Sequence, residues 1–282
     1  MDKDLLELAA FIQSICGLHY QNNITLLDSK LRKRVEQLGM DYAGYLKHVQ
    51  KTPSERQNMI ELITINETYF YREDNQLQVF QQKLLPSFKQ QGRPVRVWSA
   101  ACSSGEEPYT LAMLARETGL FAEGEIEIYA TDIDEQVLDK GKKGLYHKKS
   151  LTFRRCPDYL RERYFEEEGE YLAVKEQVKR MVTFRQLNLL DVSGIRALPQ
   201  FDCIFCRNVL IYFDAPTITG IVQSFHERLK PHGVLMLGHA ESLSNLKVNY
   251  VLTSDENAFY YRKGEQHGEV PGIGSRRFGS LS

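Results

Sequence analysis

The segment Trp98-Ser99-Ala100-Ala101-Cys102-Ser103-Ser104-Gly105-Glu106-Glu107-Pro108-Tyr109 ends a short apolar run in small residues followed by two adjacent carboxylates. Small side chains at the end of a strand let the backbone approach a ligand closely. Gly105 is the only true glycine there, so the dinucleotide G-x-G-x-x-G fingerprint is absent. Glu106 and Glu107 would repel a pyrophosphate, and they suit a ligand that carries a positive charge and an amino group. The alternative is that two glutamates simply favour the positive end of a helix dipole. A second apolar run ends in Tyr129-Ala130-Thr131-Asp132-Ile133-Asp134. An acidic residue about 25 residues past such a loop commonly takes the two hydroxyls of a ribose. The alternative is a helix N-cap; Asp134 fits that role better than Asp132, so the pair can divide the two jobs. A small-residue turn, acidic residues and a ribose-type Asp point to an adenosyl ligand without phosphates, and S-adenosylmethionine is the obvious candidate.

A third set of reactive side chains is the C-x-x-C pair Cys203 and Cys206. A zinc site needs a second ligand pair, and the sequence holds no other C-x-x-C, C-x-x-H or H-x-x-x-H. The flanking Phe201-Asp202-Cys203-Ile204-Phe205-Cys206 reads as a buried strand in which Cys is a small hydrophobe. No metal is expected.

These segments need a scaffold. After Pro86 short apolar runs alternate with helical periodicity. Strands are expected at 95–100, 125–131, 181–187, 201–206 and 234–238, and helices at 108–118, 133–142 and 216–229, the last stopped by Pro231-His232-Gly233. Around Tyr250-Val251-Leu252 and Ala258-Phe259-Tyr260-Tyr261 a hairpin is expected. Alternating strands and helices mean an α/β fold with a doubly wound, mostly parallel sheet covered on both faces. The hairpin would add antiparallel strands at one edge. Residues 144–181 interrupt the alternation and read as a small, partly β inserted subdomain within a domain spanning 81–263. Residues 1–80 read as an all-helical domain of four helices. Asp28 is expected to cap the second, Asp41 caps the third, and Pro53 opens the fourth at its first turn. Residues 264–282, rich in Gly, Ser and Arg, read as a disordered tail.

The chain of 282 residues has 36 Lys plus Arg against 37 Asp plus Glu, a net charge of −1 that argues against a general nucleic-acid coat. Five scattered cysteines, no apolar leader after Met1-Asp2-Lys3-Asp4 and no long apolar run fit a reduced, cytoplasmic protein without membrane insertion. Nothing demands more than a monomer.

Four motifs in order carry a resemblance. They are Asn66-Glu67-Thr68-Tyr69-Phe70-Tyr71-Arg72; Ser99 to Tyr109; Ala130 to Asp134; and Phe205-Cys206-Arg207-Asn208-Val209-Leu210-Ile211-Tyr212-Phe213. Over residues 5–262 the chain resembles the CheR family of bacterial chemoreceptor glutamate methyltransferases. The resemblance implies a class I methyltransferase-like sheet and transfer of a methyl group from S-adenosylmethionine to receptor glutamates, forming methyl esters and S-adenosylhomocysteine. It implies that Asn66, Thr68 and Arg72 contact the cofactor. Glu107, with Glu106 as second choice, would bind its amino group, and Asp132 its ribose. Asn188 and Leu189 would flank the adenine, and Arg207 and Asn208 would line the pocket. Tyr212 would face the methyl group; by its residue pattern alone it reads more readily as a core aromatic at the end of an apolar strand.

A glutamate side chain is ionised at neutral pH, with a reference pKa of about 4.3, and needs no general base. The enzyme must hold that carboxylate in line with the sulfonium methyl, roughly 3–3.5 Å away. Arg72 and Tyr212 can orient it by donating hydrogen bonds. Lys30, Arg32, Lys33 and Arg34 put four cations in five residues on the second helix. Such a run is a solvated face or a nucleic-acid or membrane patch by pattern; the resemblance implies docking on the acidic methylation region of chemoreceptors. Some family members also bind an aromatic-acidic peptide at the receptor tail through the inserted subdomain. Here the corresponding turn, Phe165-Glu166-Glu167-Glu168-Gly169-Glu170-Tyr171, is short and acidic, so recognition independent of that peptide is expected.

Two rival functions are testable. A nucleic-acid amine methyltransferase often carries an Asn/Asp-Pro-Pro-aromatic loop after the fourth strand, and Asn208-Val209-Leu210-Ile211-Tyr212 lacks both prolines. A non-catalytic S-adenosylmethionine sensor is disfavoured by the intact Arg72 and Tyr212.

Overall fold

The structure is a computed structural model that describes residues 3–255 and 258–264. The tail expected from 264 onward lies, past Gly264, outside the described residues.

Four helices open the chain: α1 (Lys3–Cys16), α2 (Ile24–Gln37), α3 (Tyr42–Lys51) and α4 (Pro53–Ile63). Apolar residues at helical spacing, among them Leu8, Ile12, Leu27, Leu31, Tyr45, Val49 and Met59, form their common core. Asp41 caps α3 by accepting the Gly44 N–H, and Pro53 stands in the first turn of α4. The cap expected at Asp28 is not there. Helix α2 starts five residues earlier, capped by Asn23. Asp28 instead sits inside α2, where it accepts hydrogen bonds from Arg32 and the Tyr42 hydroxyl. A short polar side chain inside the periodic stretch mimicked a cap.

A linker, 64–73, leads into α5 (Asp74–Val79), a π-helical turn (Phe80–Leu84) and α6 (Leu85–Lys89). Helix therefore runs past Pro86. The Leu85 N–H bonds Phe80 O, one residue further back than in an α-helix, and that extra residue lets the ring of Pro86 enter a new helical turn.

The rest alternates: β1 (Val95–Ala100), α7 (Glu106–Glu117), β2 (Ile126–Asp132), α8 (Glu135–Lys143), then the insertion, then β6 (Val182–Gln186), α11 (Val192–Arg196), β7 (Phe201–Cys206), α12 (Ala215–Arg228), β8 (Leu229–Leu237), β9 (Tyr250–Asp255) and β10 (Ala258–Lys263). Among the described residues the main sheet has seven strands in the order β6-β2-β1-β7-β8-β10-β9. The first five are parallel, and β10 is antiparallel to both of its neighbours. The strands β1 and β7 are buried on both faces, as a helix-covered parallel sheet requires. Val97, Cys203 and Phe205 face a core shared with α5, α7 and the insertion, while Trp98, Ile204 and Cys206 face one shared with α11 and α12. Cys203 and Cys206 are fully buried strand residues, and burial pushes both thiols far up.

Pro231-His232-Gly233 does not end an element. It is a bulge inside β8: Phe201 pairs with Leu229 but Cys203 with Val234. Bulges are where a strand tolerates proline.

The insertion is partly β, as expected. It holds β3 (Leu145–His147), α9 (Asp158–Tyr164), β4 (Phe165–Glu168), β5 (Tyr171–Val174) and α10 (Glu176–Lys179), with its sheet in the order β3-β5-β4. Phe70 of the linker packs into it, stacked on Phe153 at 5.2 Å and edge-on to Tyr146 and Phe165. The Phe70 N–H also bonds Thr152 O at 2.9 Å. The linker carrying Arg72 is thus pinned to the insertion by packing and by backbone.

Candidate active site

Strand order reverses between β1 and β7, and ligands bind beyond the carboxyl ends of strands at such a point. A cavity of about 400 Å³ opens there. Its walls come from the segment after β1, the end of β2, the segments after β6 and β7, the linker 64–72 and the α1–α2 connection. It lies between the helical bundle and the sheet, so neither part alone encloses it.

Gly105 sits in the turn after β1, between Ser103 and Glu107 of the wall. Its φ is +93°, and a Cβ there would lie 3.0 Å from the Phe184 ring and 3.1 Å from the Gly141 backbone. Only glycine allows this turn to press against α8. Just after it the two adjacent glutamates part. Glu107 lines the cavity, accepting from Ser99 Oγ at 2.6 Å and from Arg207 Nε at 2.7 Å. Glu106 turns into the interior, 3% exposed, bonded by Ser104 Oγ at 2.8 Å and Thr152 Oγ1 at 2.6 Å. Burial raises its pKa against these hydrogen bonds.

Asp132 and Asp134 divide as their spacing suggested. Asp134 caps α8 through the Val137 N–H. Asp132 is the last residue of β2, lines the cavity and is 6% exposed. Its Oδ2 accepts the Ser103 N–H at 2.8 Å and its Oδ1 the Asp134 N–H at 3.0 Å. Burial pushes this carboxyl up to about 6, opposed by those backbone N–H groups. Each oxygen keeps a free lone pair.

The linker is fixed from both ends. Asn66 Nδ2 donates to Asp134 Oδ2 at 2.7 Å, and Asn66 O accepts from Ser103 Oγ at 3.3 Å. Asn66 therefore lines the cavity while its side-chain amide holds the linker to the α8 cap. Thr68, Tyr69 and Arg72 line the cavity too. Arg72 Nη1 donates to Glu67 O at 3.0 Å, and its guanidinium lies 5.5 Å from the centre of the Tyr69 ring. Arg154 of the insertion lies 3.7 Å from the same ring and pairs with Glu67 at 2.9 Å.

After β6, Leu187, Asn188 and Leu189 line the wall. Asn188 Nδ2 donates to Ile15 O at 2.6 Å, tying this wall to α1. After β7 come Arg207, Asn208 and Tyr212, all on the cavity. The Arg207 side chain is 2% exposed; besides Glu107 it reaches Arg72 O at 2.7 Å and stands 3.7 Å from Glu73. Tyr212 ends a short 3-10 turn (Leu210–Tyr212), and its carbonyl accepts the His19 N–H at 3.0 Å. Burial raises the Tyr212 pKa, with Arg72 nearby lowering it. Its hydroxyl is thus a proton donor at neutral pH.

Among the described residues six non-glycine residues have positive φ; four of them, Tyr71, Ala101, Ser103 and Asn208, lie in these wall segments, and Glu73 directly follows the linker wall. Such strain persists only where the surroundings hold it, and it gathers at functional sites.

The four cations of α2 do not gather on one face. Lys30 Nζ donates to Thr64 O at 3.1 Å at the end of α4, and burial lowers its pKa. Arg34 pairs with the buried Glu55, Nε to Oε1 at 2.9 Å. Arg32 pairs with Asp28 yet stays largely exposed, and Lys33 is exposed.

Sequence reasoning missed Glu73, His19 and Glu241. Glu241 accepts four backbone N–H groups around the β7 exit. The available signal was position: Glu241 follows the carboxyl end of β8, where a doubly wound sheet builds its sites. No helix of the described residues is long and apolar enough to cross a membrane. Nor, among them, does any group of three or more His, Cys, Asp or Glu form a candidate metal site.

Comparison with known proteins gives the chain's relatives. Residues 66–258 match the family described as CheR methyltransferase, SAM binding domain, and residues 3–64 match CheR methyltransferase, all-alpha domain. Chemotaxis protein methyltransferase 1 of Pseudomonas aeruginosa is 37% identical over 265 residues, covering 89% of this chain and 94% of its own. Chemotaxis protein methyltransferase 2 of Vibrio cholerae is 33% identical, covering 93% of each chain. A chemotaxis protein methyltransferase of Borreliella burgdorferi is 34% identical over 80% of this chain and 83% of its own. With both family domains meeting at the cavity, this chain belongs to the CheR methyltransferase family.

Proposed function

We propose that the chain is a protein-glutamate O-methyltransferase that esterifies specific glutamates in the cytoplasmic methylation region of chemoreceptors. The observation that carries this is the set of groups lining one cavity: carboxylates at Asp132 and Glu107 together with Arg72 and the protonated Tyr212. Asp132 can accept two ribose hydroxyls on its free lone pairs, and Glu107 can accept an ammonium beside Arg207. Asn188 and Leu189 form the wall suited to a flat adenine ring, and Asn66, Thr68, Arg207 and Asn208 shape the remaining contacts. S-adenosylmethionine, when bound, supplies a methyl group on a positively charged sulfur.

Arg72 and Tyr212 act on the incoming glutamate. Both donate hydrogen bonds, so they fix where its carboxylate lies without removing a proton. Once cofactor and receptor fill the cavity, water is displaced from a reaction in which opposite charges neutralise one another. Receptor docking falls to α2. Lys30 and Arg34 shape that helix against α4, while Arg32 and Lys33 offer charge to an acidic bundle. The test is to supply methyl-labelled cofactor with receptor cytoplasmic fragments and with RNA. The reading requires base-labile label on the receptor; label on RNA alone, or none, removes it.

Cofactor affinity should depend on pH through Asp132. Burial pushes its carboxyl up from the ordinary 3.8 to about 6, and the protonated form loses an acceptor needed for two hydroxyls. Affinity measured by calorimetry should therefore weaken as pH falls from 7 to 5, by up to about tenfold per unit below the pKa. Asp132→Asn should bind weakly at every pH. Stability moves oppositely: the folded state holds this proton more tightly than the unfolded chain. The Asp132 contribution is thus most favourable below the unfolded pKa and declines as pH rises through the window between 3.8 and about 6.

The β4–β5 turn bears Glu166, Glu167, Glu168 and Glu170, with Gly169 at a φ of +57°. One of these charges is met by Lys148 at 2.5 Å from Glu167. An acidic-aromatic pentapeptide should give no calorimetric signal at micromolar concentration; micromolar binding would show a tail-dependent mode.

A further inference from the structure

Strand β7 ends at Cys206, and the chain must then place Asn208 and Tyr212 on the cavity within six residues. It does so without regular hydrogen bonding to a neighbouring strand. Asn208 has φ +61°, and Val209 turns back at φ −125°, ψ −33°. That sequence of dihedrals makes successive N–H groups converge, a backbone concavity that attracts an anion. Glu241 supplies the anion. Its Oε1 accepts the Val209 N–H at 2.9 Å and the Leu210 N–H at 2.7 Å; its Oε2 accepts the Asn208 N–H at 2.9 Å and the Gly238 N–H at 2.6 Å. One carboxylate thus joins the exits of β7 and β8. Gly238 leaves room for it: a Cβ there would lie 2.9 Å from both Glu241 Oε2 and Asn208 N.

From this we infer that Glu241 is a positioning residue for methyl transfer, acting through the 3-10 turn that carries Tyr212. Its carboxylate binds the first N–H of that turn, Leu210, and the two preceding it. Hydrogen bonds from backbone N–H to an ionised acceptor are about twice as strong as neutral ones, so four of them set the direction in which the turn leaves the sheet. Glu241 does not line the cavity, whereas Asn208 and Tyr212 do. No other acceptor approaches the Asn208, Val209 and Leu210 N–H groups among the described hydrogen bonds. The inference rests on the reading of Tyr212 as a substrate-orienting group.

Glu241→Gln is nearly isosteric but turns an NH2 toward two N–H donors. Hydrogen exchange of the peptide 207–213 should accelerate at least about a hundredfold in this variant, because its local opening no longer breaks charged hydrogen bonds. In the methyl-transfer assay kcat should fall roughly a hundredfold while the KM for S-adenosylmethionine stays within about threefold. Glu241→Gly leaves the anion concavity empty, and formate should restore at least part of its turnover where chloride at equal ionic strength does not. Unchanged exchange in Glu241→Gln would overturn the inference, as would faster exchange with wild-type kcat. So would a loss of kcat and cofactor affinity together with a fall in thermal midpoint, or equal effects of formate and chloride. Should the wild-type protein transfer no methyl group to receptor fragments, the functional reading fails. The exchange arm then still decides whether Glu241 holds the turn.

Discussion

Arg72→Ala is expected to lower methyl transfer by roughly 10²–10⁴-fold, the range that lost orientation of reacting groups commands. The loss should fall on kcat. Arg72 is half-exposed, and its side chain makes one hydrogen bond, to Glu67 O. Losing that bond costs about 1 kcal/mol, so the thermal midpoint should move by no more than a few degrees. The part of Arg72 that the fold uses is its carbonyl, which accepts Arg207 Nη1 at 2.7 Å and survives the substitution. Circular dichroism and single-turnover kinetics on the same sample separate the two effects. A variant of near-normal rate would remove Arg72 from the site, and an unfolded variant would show that its side chain is structural.

Glu107→Ala should do the reverse and damage both stability and binding. The Arg207 side chain is 2% exposed and its bonded counter-charge is Glu107 at 2.7 Å, with Glu73 more distant at 3.7 Å. Stripping the partner from a buried charge costs about 3–5 kcal/mol. At about 2–4 °C per kcal/mol the thermal midpoint should drop by roughly 6–20 °C. The same substitution removes the carboxylate offered to the cofactor's ammonium, and S-adenosylmethionine should bind at least about thirtyfold more weakly. Adding Arg207→Met should recover part of the stability, since a buried charge no longer lacks its partner, but not the affinity. Recovery of affinity along with stability would mean that Glu107 serves only Arg207.

The site was legible where chemistry and fold share one residue pattern. Small residues, one glycine and two glutamates after β1 announced a close backbone approach, and the structure put Gly105 against α8 and Glu107 on the cavity. The two-residue spacing of Asp132 and Asp134 was enough to divide cap from cavity wall. Which glutamate faces the cavity was not legible. Adjacent helical positions differ by 100° in direction, and Thr152, whose hydroxyl captures Glu106, lies 46 residues away. The α2 cations, contiguous in sequence, are used differently: the Thr64 carbonyl and Glu55 draw Lys30 and Arg34 inward, while Arg32 and Lys33 stay exposed. Glu241 was announced only by its position after β8, because its partners are backbone groups, which leave no trace in residue identity. Asp28 and Pro231 were read by their commonest local meaning, and each was overruled by longer-range structure: a hydroxyl from α3 and a bulge set by pairing with β7.

The central claim is that the cavity joins a methyl group to a glutamate carboxylate on a receptor. Mass spectrometry of receptor cytoplasmic fragments after incubation with this protein and S-adenosylmethionine tests it most directly. The account predicts a mass gain of one CH2 on particular glutamate residues, reversed by mild base with release of methanol, and lost in parallel with activity in Arg72→Ala. A mass gain on lysine or arginine that resists base, or no gain on the receptor while added RNA becomes methylated, would contradict it.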